Sequence, residues 1–164
     1  MSRLTPILIL LFGGLAFSGA ASAVGEGKNH NFRTHLSGAE QVVPIDTRGQ
    51  GQAIFQLSED GMALHFKLIV ANIEDVFMAH IHLAPAGANG PIVVWLYPAA
   101  PPPVPIPGRS DGVLAAGVIT AANLVGLLAG QTMADLIDAI DDGMAYVNVH
   151  TLAHPTGEIR GQIF

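Results

Sequence analysis

The chain has 164 residues, of which 50% are hydrophobic and only 12% are charged, so it carries enough apolar material for one globular domain with a substantial core. Its formal net charge of -6 argues against nucleic acid as a partner, because phosphate binding needs clustered lysines and arginines. The chain contains no cysteine, which excludes disulfides and thiolate nucleophiles.

The first 23 residues have the pattern of a secretory signal peptide. Arg3 precedes an apolar run over residues 7–17, and small residues end in an A-x-A motif at Ala23. An uncleaved membrane anchor is the alternative, but the run is short and two glycines interrupt it. We therefore expect cleavage after Ala23, a polar tether over residues 24–30, a domain over residues 31–164, and a secreted or periplasmic product with no membrane partner.

From residue 31 onward, short apolar segments are separated by Gly, Pro, Asn and Asp at a spacing typical of an all-β domain. We predict strands over residues 32–37, 51–58, 62–73, 76–83, 91–97, 113–119, 145–151 and 158–164. These segments predict an antiparallel β-sandwich, with an immunoglobulin-like or superoxide-dismutase-like Greek-key arrangement.

Two segments between the sixth and seventh strands have helical patterns. Residues 121–128 indicate a short helical turn, and a helix is predicted to begin at Thr132, where Asp135 completes an N-cap pair. The Pro-rich stretch over residues 97–112 is predicted to be an exposed, polyproline-like loop. It serves either as a spacer between strands or as a recognition segment.

Two histidines stand two residues apart in the segment "MAHIHLAPAGANGP". If Ala79 and Ile81 face the core, His80 and His82 share the opposite face of their strand. Two imidazoles in this arrangement can reach one metal ion.

The C-terminal segment "YVNVHTLAHPTGEIRGQIF" shows the same alternation. It places Asn148 and His150 on one face, and a hairpin of the last two strands adds Glu158 and Arg160 to that face, with His154 in the turn. Neutral imidazoles that converge suit copper or zinc. The candidate ligands are His80, His82, His150 and His154, and the candidate surrounding residues are Asn148, Glu158 and Arg160.

These residues have two interpretations. As a metal site, Glu158 would orient a ligand histidine and Arg160 would attract an anion. As structural residues, the histidines would donate hydrogen bonds to loop carbonyls and to Glu158, and Arg160 would form a cross-strand ion pair. The chain has no G-x-S-x-G motif, Gly-rich phosphate loop or H-E-x-x-H motif, so the sequence favours a protein that is not an enzyme.

Three blocks of the sequence resemble the chordin-type (CHRD) domain. They are "HLSGAEQVVPIDTRGQGQAIFQL", "ALHFKLIVANIEDVFMAHIHLAPAGANGPIVVWL" and "YVNVHTLAHPTGEIRGQIF", and the resemblance extends over roughly His30 to Phe164. It implies an extracellular β-sandwich module of the kind found in bacterial secreted proteins and in chordin, an antagonist of secreted growth factors. Two features depart from the family pattern: Leu83-Ala84 where a glycine is usual, and a longer Pro-rich loop.

The resemblance supplies no established activity, so two functions are carried forward. The first is a non-catalytic secreted module that binds an extracellular protein or matrix partner. The second is a mononuclear copper or zinc protein, with redox chemistry similar in style to Cu/Zn superoxide dismutase. The second differs from that family because the chain lacks cysteines and a zinc loop rich in His and Asp.

Overall fold

The fold is an antiparallel β-sandwich. The computed structural model describes residues 31–164, so the predicted signal peptide and tether lie outside the described residues. Its strands are β1 (Asn31–Ser37), β2 (Gln50–Leu57), β3 (Leu64–Glu74), β4 (Val76–Leu83), β5 (Ile92–Tyr97), β6 (Arg109–Ile119), β7 (Ala145–Thr151) and β8 (Ile159–Gln162). They form one eight-stranded sheet in the order β5-β4-β7-β8-β1-β2-β3-β6.

The sheet folds over on itself, so that strands near both ends of the sheet contribute side chains to one core cluster. Val94 of β5, Val147 of β7 and Leu68 of β3 all belong to that cluster and are buried. Burying apolar side chains from two facing layers is the main source of stability for such a sandwich. The predicted fold class is therefore confirmed.

The two halves of the sheet differ in how their outer faces are covered. Strand β2 alternates strictly between exposed and buried residues, as expected when one face meets solvent. In β7 every residue is buried. Since Ala145, Val147 and Val149 lie in the core, the residues between them are covered on the opposite face by loops.

The helix and turns between the strands are of the predicted types, and the start of one strand differs from the prediction. One α-helix, α1 (Met133–Asp141), precedes the last two strands, and Thr132 and Asp135 form its capping box. Short 3-10 turns cover Ala121–Asn123 and Gly126–Leu128. Strand β6 begins at Arg109, inside the segment predicted as a loop, because bulges along the β3–β6 ladder let the pairing continue to Glu74.

No helix within residues 31–164 is long and apolar enough to cross a membrane.

We expect Gly161→Ala to destabilise the fold where β8 approaches β1. A Cβ atom at this position would lie 2.1 Å from the carbonyl oxygen of His35 and 2.3 Å from the hydroxyl of Thr34. Overpacking of this kind should lower the free energy of unfolding by about 2–3 kcal/mol, measured by urea denaturation.

Gly117→Ala is the matched control, because its Cβ would meet only the edge of the Phe66 ring, at 3.1 Å, on an exposed part of β6. That variant should change the free energy of unfolding by less than about 1 kcal/mol. Equal effects of the two substitutions would contradict the close β1–β8 approach.

Candidate metal centre

Three histidines converge on the loop-covered face of the β4–β7 pair. His80 and His82 lie on β4, and His150 lies on β7. In the antiparallel register Met78 pairs with His150, His80 with Asn148, and His82 with Tyr146. Directly opposite residues share a face, so the three imidazoles lie side by side. One ring nitrogen from each lies within 4.8 Å of the others.

All three side chains are removed from solvent. His80 is 0% exposed, His82 is 7% exposed and His150 is 5% exposed. Their rings also contact one another, with centroid separations of 5.1 Å between His80 and His150 and 5.5 Å between His80 and His82. Buried polar groups need partners, so the hydrogen bonds of these rings decide what the cluster can do.

Backbone carbonyls fix the tautomer of two of the rings. The Nδ1 of His82 lies 2.9 Å from the carbonyl oxygen of Gly90, and the Nδ1 of His150 lies 3.0 Å from that of Pro155. A carbonyl can only accept, so each Nδ1 carries the proton. Each Nε2 therefore presents a lone pair to the cluster, which is the usual arrangement for a metal-binding histidine.

The third ring completes the cluster and leaves nitrogens without partners. The Nδ1 of His80 lies 3.3 Å from the Nε2 of His150. Within the described residues, the Nε2 atoms of His80 and His82 are buried and have no hydrogen-bond partner. An unsatisfied buried polar atom costs about 1–3 kcal/mol. These two ring nitrogens are therefore available to bind a metal ion or a hydrogen-bond donor.

The imidazoles are uncharged at neutral pH. Burial, together with His150 and His82, lowers the pKa of His80 from 6.5 to about 3. Burial likewise lowers the pKa of His150 to about 4, against the bond to Pro155. The pKa of His82 is also lowered, chiefly by burial and then by the positive charge of Arg160, although the bond to Gly90 opposes this. Metal ions bind the neutral form of imidazole, so no proton has to leave.

An aromatic stack holds His82 against the last strand. The ring of Tyr146 is stacked on His82 at 4.9 Å, and the Arg160 guanidinium lies 3.5 Å from the centroid of the Tyr146 ring. Because β7 lies between β4 and β8, the two groups approach Tyr146 from opposite neighbouring strands. Cation–π and stacking contacts together restrict the His82 ring to one orientation.

The loop after β4 is tied down at several points. Arg160 donates to Asn89 and to the carbonyl of Pro85, and Gly90 donates its backbone N–H to the Tyr146 hydroxyl. A Cβ at Gly90 would lie 1.7 Å from the carbonyl oxygen of Leu83, so glycine is required there. These contacts place the Gly90 carbonyl where it meets His82.

Asn148 stabilises the other loop. Its carbonyl accepts from the Gln41 side chain at 2.8 Å, and its amide nitrogen donates to the carbonyl of Thr156 at 3.4 Å. A Cβ on Gly157 would fall within 2.3 Å of that amide. Asn148 thus holds the turn that presents the Pro155 carbonyl to His150.

Glu158 and His154 lie apart from the three histidines. The carboxylate of Glu158 accepts from the hydroxyls of Thr47 and Thr151, each at 2.6 Å. His154 and Glu158 both line a polar surface pocket with Arg48 and Asp75. Loop carbonyls orient His82 and His150, as the structural interpretation of the sequence expected, whereas the suggested contact of a histidine with Glu158 is not formed.

Two aromatic residues of the site were not identified from the sequence. Trp95 on β5 pairs with His80, and their rings meet edge-on at 4.2 Å. Tyr146 could have been found by extending the alternation that gave Asn148 and His150 by one more step. Trp95 gave no such signal, because nothing in the sequence pairs its strand with the histidine strand in a given register.

The family comparison is consistent with the sequence blocks. The model of the CHRD domain matches residues 32–163. Searches of curated proteins and of solved structures found no match.

The stability of the metal-free protein should depend on pH through these histidines. Their pKa values in the folded state lie below the unfolded value near 6.5, so the unfolded chain binds more protons at mildly acid pH. The free energy of unfolding should be at its full value above pH about 6.5 and fall toward pH about 4, by up to about 1.4 kcal/mol per pH unit for each histidine.

Urea denaturation in the presence of a chelator, from pH about 7.5 to about 5.5, measures this slope. His150→Gln should reduce it, whereas His65→Gln, at an exposed position of β3, should leave it unchanged. A midpoint that does not move over this range would contradict buried, neutral histidines.

Proposed function

This chain belongs to the CHRD domain family, and we propose that it is a secreted, non-catalytic binding module that holds one copper or zinc ion. Family membership supports a binding or structural module. The ligands are the ring nitrogens of His80, His82 and His150. The ion either is the cargo of the module or stabilises the surface that the loops around it present.

One observation carries this proposal. Two buried ring nitrogens have no hydrogen-bond partner in the described residues, and they belong to a cluster in which a ring nitrogen of each histidine lies within 4.8 Å of the others. A structural role alone would leave these atoms unsatisfied at a cost in stability. A metal ion bonded to the lone pairs removes that cost.

The donor set determines the class of ion. Imidazole nitrogens suit copper and zinc, whereas calcium and magnesium need oxygen ligands. Within residues 31–164, the cluster contains no Asp or Glu. The hydrogen bonds from the Nδ1 atoms to Gly90 and Pro155 support the same assignment, because ligand histidines commonly donate their other ring N–H to a carbonyl.

The contacts of the site favour a bound ion over a catalytic one. Superoxide-dismutase-like chemistry needs an open coordination position and a route for a small anion. Arg160, the residue considered for attracting an anion, is 1% exposed, and its guanidinium is bound to Asn89, Pro85 and Tyr146. An extracellular protein or matrix partner stays a prediction.

The purified, folded protein should bind one equivalent of copper or zinc, measured by isothermal titration and by metal analysis after gel filtration. His82→Gln or His150→Gln should weaken binding by at least about 100-fold, since even groups around a ligand cost 10–100-fold when removed. The ion should also raise the melting temperature of the wild type, because it binds the folded chain.

His35→Gln and His65→Gln are matched controls, because both histidines are exposed on other strands. Their affinities should equal that of the wild type. Wild-type protein that remains metal-free after loading, or equal binding by His150→Gln and the controls, would rule out the site.

Copper should quench the fluorescence of the chain's single tryptophan. Trp95 lies 4.2 Å from His80 between ring centroids, well within the range at which copper quenches an indole. Quenching should saturate at one equivalent of copper, and zinc should cause little quenching. If His150→Gln shows the same quenching curve, the copper is bound elsewhere.

A further inference from the structure

The three imidazoles of the cluster bring no negative charge to a bound ion. Within the described part of the chain, no carboxylate belongs to the cluster. Both oxygens of Glu158 are engaged by threonine hydroxyls. The guanidinium of Arg160 lies on Tyr146, which is itself stacked on His82, so a positive charge lies one ring away.

In such a site, the charge of the ion strongly affects the free energy of binding. The cost of transferring an ion from water into a buried site rises with the square of its charge, and neutral ligands offset less of that cost than anionic ligands do. A divalent ion would keep its full charge among three neutral imidazoles beside a cation. A monovalent ion meets a much smaller penalty in the same place.

Met78 brings a neutral sulfur donor to the strand that carries His80 and His82. Met78 precedes His80 by two residues on β4 and is the cross-strand partner of His150, so it lies on the same face as the cluster. The β4–β7 register shifts between Val76 and Met78, so Phe77 and Met78 both lie opposite His150. Met78 is partly exposed, whereas the three histidines are buried, which places it at the edge of the site.

We propose that the ion is copper(I), with the thioether of Met78 as a fourth donor beside His80, His82 and His150. This inference rests on the proposed metal site and specifies which ion it selects. Thioether sulfur is a soft ligand that favours copper(I), and it adds no charge. Zinc has no comparable gain, because its usual sulfur ligand is a thiolate.

The test measures copper(I) and zinc(II) affinities separately, by competition with a chromophoric chelator for each ion under anaerobic conditions. Wild-type protein should hold copper(I) more tightly than zinc(II). Met78→Leu preserves the volume of the side chain and removes the sulfur. It should weaken copper(I) binding by about tenfold or more, the lower limit for groups around a metal, and leave zinc(II) binding unchanged.

Met62→Leu is the matched control, because Met62 is 65% exposed in the turn between β2 and β3. It should change neither affinity. X-ray absorption of the copper(I) protein should show one sulfur scatterer in the wild type and in Met62→Leu, and none in Met78→Leu. This readout detects the copper–sulfur bond itself and so separates ligation by Met78 from a packing effect.

The outcomes distinguish this inference from the metal site on which it rests. If neither copper(I) nor zinc(II) binds the wild type, the metal site itself is wrong. If ions bind through the histidines but zinc(II) binds as tightly as copper(I), the choice of copper(I) is overturned. If Met78→Leu loses no copper(I) affinity, or wild-type copper has no sulfur neighbour, the role of Met78 is overturned.

Discussion

The three histidines meet because β4 and β7 pair in one particular register. This register puts His80 beside Asn148 and His82 beside Tyr146, and it brings the imidazole of His150 to within 3.3 Å of His80. A slip of one residue would turn the histidines of one strand into the core and bring valines to the polar face. The apolar residues between them, such as Ile81 and Val147, prevent that slip because they are fully buried. The hydrophobic core therefore sets the geometry of a polar site on its other side.

Two loops with unrelated sequences each orient one histidine of the cluster. Each follows the strand that carries its histidine, and each presents one carbonyl oxygen to a ring Nδ1. The loop after β4 is held by Arg160 and Tyr146, and the loop after β7 is held by Asn148. Arg160 and Asn148, which the sequence suggested as neighbours of an ion, therefore hold the backbone of these two loops in place. Rotation of a buried imidazole would break its bond to a fixed carbonyl, so the lone pairs stay directed inward.

Much of this could be predicted from the sequence, because alternation along a strand fixes which residues share a face. The strand positions, the hairpin of β7 and β8, and the capping box at Thr132 all follow from local patterns. The pairing of β4 with β7 could not be predicted. Between Leu83 and Ala145 lie 61 residues, which include β5, β6 and α1, and no sequence pattern indicates which strand pairs with β4. Bonds from the histidines to loop carbonyls were predicted as one interpretation, but the identity of those carbonyls, Gly90 and Pro155, could not be predicted because it depends on loop conformation. Conversely, the acidic residue expected to orient a histidine, Glu158, binds Thr47 and Thr151 instead.

The stack of His82, Tyr146 and Arg160 ties the site to the last strand of the sheet. His80 and His150 are 70 residues apart in the chain, so the ligands gather only when long-range pairing is complete. An unfolded chain offers an ion scattered imidazoles and no cage. The histidines of β4 can form the proposed site only after β7 and β8 have been made and have paired. The order of the chain therefore makes the proposed site available to an ion only when the whole domain has folded.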